Sequence, residues 1–92
     1  MGLLQFLFPP SKNEMALRGI LTEVATQFGG DQVLLIQELM GQAEMGLALE
    51  FICDWLTEKD FVCSPALYSQ IETLGKEMGL DPKNWQMLQP KH

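Results

Sequence analysis

Apolar positions along this chain recur with a helical period rather than a strand period. Leu17, Ile20, Leu21, Val24 and Phe28 fall at i, i+3, i+4, i+7 and i+11, one face of a helix. Ser11-Lys12-Asn13-Glu14 precedes that face and reads as a capping box. The Ser11 hydroxyl can accept from the Glu14 amide while the Glu14 carboxylate reaches back to the Ser11 amide. Gly29-Gly30 then predicts the stop, because glycine tolerates a left-handed cap. Asp31 is the expected N-cap of a second helix holding Val33, Leu34, Leu35, Ile36, Leu39 and Met40. Apolar nearly all round, that helix is expected to be the most buried. Gly41 and Gly46 bracket a turn placed near residues 41–44, the alternative being one continuous helix.

A third helix is predicted from about Glu44 to Glu58, with Met45, Ala48, Leu49, Ile52, Trp55 and Leu56 along one side. Asp60-Phe61-Val62-Cys63 reads as a short extended link. Ser64-Pro65 is an N-cap followed by proline at the first helical position, where its missing N–H costs nothing. Leu67, Ile71, Leu74 and Met78, with Tyr68 beside them, form the stripe of a fourth helix ended by Gly79. Asp81-Pro82 repeats the cap and starts a last short helix with Trp85 and Leu88. No segment alternates with period two for long enough to argue a sheet. The expected architecture is all-α: a compact bundle of four to five helices in a single domain, residues 1–92. Residues 1–10 form an apolar N-terminal segment (Leu3, Leu4, Phe6, Leu7, Phe8) that must hide from water, on its own core or in a contact.

Charge changes this picture. Residues 31–60 hold Asp31, Glu38, Glu44, Glu50, Asp54, Glu58 and Asp60 against one base, Lys59, so the whole formal net charge of −6 sits there. Elsewhere acids and bases cancel. Within the third helix Glu50, Asp54 and Glu58 recur every four residues and fall within an arc of about 80° at ~100° per residue. Like charges at that spacing cost an isolated helix ~0.2–0.5 kcal/mol per pair. Acids near a helix C-terminus are also opposed by the macrodipole. A mild energetic penalty of this kind points to a use beyond solubility: a directional field that steers a basic partner. The plainer reading is a solvated helix face.

Composition bounds the chemistry. With 92 residues, 47% of them hydrophobic and 20% charged, the chain is one ordinary globular domain. Two cysteines, Cys53 and Cys63, are too few for a disulfide scaffold and are expected as buried free thiols. The single histidine is His92, so no four-ligand zinc set is at hand, and no metal site or cofactor is expected. No nucleophile–base pair, phosphate loop or dinucleotide fingerprint occurs, so no catalytic residue is assigned and an enzyme is not expected. Six scattered bases argue against direct nucleic-acid binding. The N-terminus lacks the basic flank and cleavage site of a secretion signal, and Phe6 stands where myristoylation favours Ser or Thr. No run approaches the ~18 apolar residues of a membrane span. The expectation is a cytoplasmic protein without membrane contact.

The string Gly46-Leu47-Ala48-Leu49-Glu50-Phe51-Ile52-Cys53-Asp54-Trp55-Leu56 is followed by Ser64, Tyr68, Ile71, Leu74-Gly75, Met78-Gly79-Leu80-Asp81-Pro82, Trp85 and Leu88. Together these residues resemble MafI-type small immunity proteins of bacterial contact-dependent and polymorphic toxin systems. The resemblance spans residues 44–88 and rests on helix-packing positions and two caps. It implies a cytoplasmic protein that binds the C-terminal domain of one cognate toxin, often a nuclease, and blocks it.

The candidate partner-binding residues follow from charge and helix geometry alone. They are Glu50, Asp54 and Glu58 as the acidic ridge, with Phe51 and Trp55 on its flank as apolar anchors. For Trp55 the core is the favoured placement and the interface anchor the alternative. The chain is expected as a monomer or homodimer. Two other readings stand beside immunity: an acidic helical regulator or DNA mimic binding a host transcription or restriction protein, and a structural dimerisation module working through residues 1–10.

Overall fold

Four α-helices and three 3-10 turns run through residues 11–90, the part of the chain that the computed structural model describes. Helix α1 spans Lys12–Val24, α2 Gly30–Gly41, α3 Met45–Glu58 and α4 Pro65–Glu77. One 3-10 turn, Ala25–Gln27, extends α1, and two more, Pro82–Asn84 and Gln86–Leu88, close the chain. There is no strand among the described residues, so the fold is the all-α bundle that the periodicity predicts. The question of where residues 1–10 hide falls outside the described residues.

The stripes read from the sequence form the core. Leu17, Ile20, Leu21 and Val24 of α1 are buried against Ala48, Leu49, Ile52, Cys53 and Leu56 of α3 and Leu67, Ile71 and Leu74 of α4. Trp85 and Leu88, from the C-terminal turns, complete it and pack on α3 and α4. Helix α1 lies against both α3 and α4, whereas α2 pairs chiefly with α3. No polar or charged residue among those described is buried.

Helix α2 departs from expectation. Only Ile36 and Leu39 are buried, Val33, Leu35 and Met40 are half-buried, and Leu34 is 58% exposed. All-round apolarity does not make this helix the most buried, because among the described residues its main neighbour is α3 and a helix packed chiefly on one neighbour buries one stripe.

The helix starts are partly as read. Ser11 and Ser64 cap α1 and α4, each accepting at Oγ from the amide three residues on, at 3.1 Å. Glu14 does not return the bond to Ser11. Its carboxylate takes Arg18 at 2.6 Å instead, an i, i+4 ion pair, so the box is half formed. Gly29-Gly30 is no left-handed stop. Gly29 is extended (φ −73°, ψ 164°) and is itself the N-cap of α2, which puts Asp31 in the first turn rather than at the cap. The Gln32 side chain reaches back to accept from the Gly29 amide at 2.9 Å. Helix α1 accordingly stops at Val24 and Phe28 lies beyond it, extended. The last short helix resolves into the two 3-10 turns, with Asp81 Oδ1 accepting from the Lys83 amide at 2.9 Å.

Three helices end alike. The amide two residues past the C-cap of α2, α3 and α4 donates to the carbonyl five residues back: Glu44 to Leu39 (2.8 Å), Phe61 to Leu56 (3.0 Å) and Leu80 to Gly75 (2.9 Å). The residue before each takes a positive φ: Ala43 at 62°, Asp60 at 53° and Gly79 at 71°. This is the Schellman motif, and only at Gly79 is it built on glycine. The turn at residues 41–44 is thus real, and Asp60, expected in an extended link, belongs to the α3 cap.

Candidate functional site

Helix α3 turns one arc inward and the opposite arc out. Ala48, Leu49, Ile52, Cys53 and Leu56 are buried, which fixes the rotation of the helix about its axis. At ~100° per residue, Leu47, Phe51, Asp54 and Glu58 then point outward within about 60° of one another. Asp54 and Glu58 are exposed, and Glu50, on one flank of this arc, is half-buried. The structure therefore brings Glu50, Phe51, Asp54 and Glu58 onto one face. Trp55 lies on the other flank and turns towards the start of α2. Its ring stands 5.4 Å from Phe28, edge-on at 71°, and 5.4 Å from Phe51, tilted at 36°. Phe28, Phe51 and Trp55 are all half-buried and back onto the core, so Trp55 is both core and flank.

Leu47 joins this face although the charge period does not single it out. It is 42% exposed and sits in the middle of the outward arc. Its signal was its phase: it lies within about 20° of Asp54 and Glu58 on the helical wheel. An exposed leucine between carboxylates adds an apolar contact at the end of the ridge nearest the α2–α3 turn.

No cation pairs with the ridge among the described residues. Among the described residues the ion pairs are Glu14–Arg18 and Glu72–Lys76, both outside the acidic stretch. Lys59, the one base of that stretch, donates its ammonium to the Gln27 carbonyl and ties the C-terminal end of α3 to the turn after α1. Among the described residues none of the carboxylates of Glu50, Asp54 and Glu58 is in an ion pair.

Behind the ridge lie the two thiols, both free and buried. Burial first, then the neighbouring Cys63, Asp54 and Glu50, push Cys53 up to about 12. Burial, and then Glu23, push Cys63 up to about 11. Both stay protonated at neutral pH, and a thiol rather than a thiolate is a poor nucleophile and a poor metal ligand. Among the described residues no group of three or more His, Cys, Asp or Glu side chains is placed to hold a metal ion. Nor is any helix there long and apolar enough to cross a membrane.

The arrangement is a surface rather than a cleft: an acidic ridge without an ion pair among the described residues, with apolar side chains along and beside it, mounted on the most deeply packed helix. What it can do chemically is meet a cationic surface. Compared with known proteins, the chain matches no family model, no curated protein and no solved structure.

Proposed function

We propose that this chain is an immunity protein that binds the C-terminal domain of a cognate toxin, a nuclease with a basic cleft, and neutralises it by steric and electrostatic occlusion. The observation that supports the reading is the outward face of α3, where Glu50, Asp54 and Glu58 stand around Phe51 and Leu47 with no ion pair among the described residues. The resemblance of residues 44–88 to MafI-type proteins supplies the class of partner.

The physical logic runs through the partner's needs. A nuclease holds phosphates with a basic groove. Carboxylates recurring along a helix offer that groove a substitute for the backbone charge. Complementary fields raise association to ~10⁸–10⁹ M⁻¹s⁻¹ at low salt. Charge alone is screened over about 8 Å at physiological ionic strength. Durable inhibition therefore also needs desolvated apolar contacts, which Phe51, Leu47 and the rim of Trp55 supply. The cell that makes such a toxin is protected where the immunity protein meets it, so the site of action is the cytoplasm.

The test is co-expression with the toxin domain encoded by the adjacent upstream reading frame, scoring survival and a co-purifying complex together. Rescue with a one-to-one complex is the expected result. Toxicity with neither rescue nor binding overturns the reading for that pair. With a complex in hand, the triple variant Glu50→Lys, Asp54→Lys, Glu58→Lys should slow association by about tenfold at low salt and flatten its salt dependence. Unchanged kinetics would take the α3 face out of the interface.

A further inference from the structure

We draw no further inference here: the strongest candidate, the cluster of half-buried rings Phe28, Phe51 and Trp55 where the chain entering α2 meets the flank of α3, belongs to the α3 face already described, and nothing in the structure shows what covers it.

Discussion

The indole of Trp85 lies across the backbone of Gly75 so closely that a Cβ on residue 75 would stand 2.2 Å from the ring. Trp85 is 1% exposed and is among the largest fully buried side chains. Residue 75 therefore has to be glycine, even though it sits inside α4. Alanine is the better helix former by about 1 kcal/mol, but here its methyl group has to displace a packed ring. Gly75→Ala should lower stability by about 2 kcal/mol net, towards the upper end of overpacking costs. The decisive measurement is a urea-denaturation double-mutant cycle with Trp85→Leu. With the ring gone, Gly75→Ala should become neutral or stabilising.

The caps after α2, α3 and α4 place three different residues in one backbone conformation, and this ranks them. A left-handed φ costs an L-residue roughly 1–2 kcal/mol, less for aspartate, whose short side chain bonds locally. Ala43→Gly should thus raise stability by about 1 kcal/mol, and Asp60→Gly by less. Gly79→Ala should lower it by about 1 kcal/mol. Thermal unfolding of the three variants would test the order, which exposure alone does not predict because all three positions are exposed.

Both thiols have folded-state pKa values above the ordinary value of 9.0. Their contribution to stability is fully present below pH 9 and is lost as pH rises towards 11–12, where the folded thiols ionise in turn. Denaturant midpoints should fall across that window, and the fall should be shallower in Cys53→Ala and Cys63→Ala than in the parent chain. At neutral pH a thiol reagent should label neither residue in the folded protein and both after unfolding.

Asp54 and Glu58 occupy the last turns of α3, where the macrodipole favours cations. Asp54→Lys and Glu58→Lys should each leave the helical circular-dichroism spectrum unchanged and raise stability by roughly a few tenths of a kcal/mol at low salt. The gain should shrink as salt is added. A loss of stability would mean that these carboxylates brace the fold rather than face solvent.

The sequence made some of this legible and hid the rest for identifiable reasons. Where an apolar stripe is bordered by polar residues, as at Leu17–Val24 and Leu67–Leu74, its phase alone predicts the buried face. Ser64-Pro65 works similarly, since the cap needs no tertiary partner. Helix α2 shows the opposite case: a helix apolar on every side carries no phase, and its burial depends on how many neighbours the chain can supply. The α2 cap was misplaced because Gln32 satisfies the Gly29 amide from the third helical position, which leaves Asp31 nothing to cap. Ala43 gives no sign of a left-handed conformation, because alanine is an ordinary helix residue. The ridge was visible as a charge period, but Leu47 only became part of it once the buried arc of α3 fixed the rotation. The Trp85–Gly75 contact, between an aromatic and a residue with no side chain, leaves no pattern in one dimension.

The tie between Lys59 and Gln27 has a consequence for self-association. Among the described residues the one base of the acidic stretch, Lys59, is held on the Gln27 carbonyl at the C-terminal end of α3 and pairs with none of the ridge carboxylates. A two-fold contact through this face sets each carboxylate near its own image, because symmetry pairs like with like. Such a pairing repels itself most strongly at low salt, where attraction to a basic surface is greatest. Charge repulsion of this kind disfavours a two-fold homodimer built on the α3 face, above all at low ionic strength.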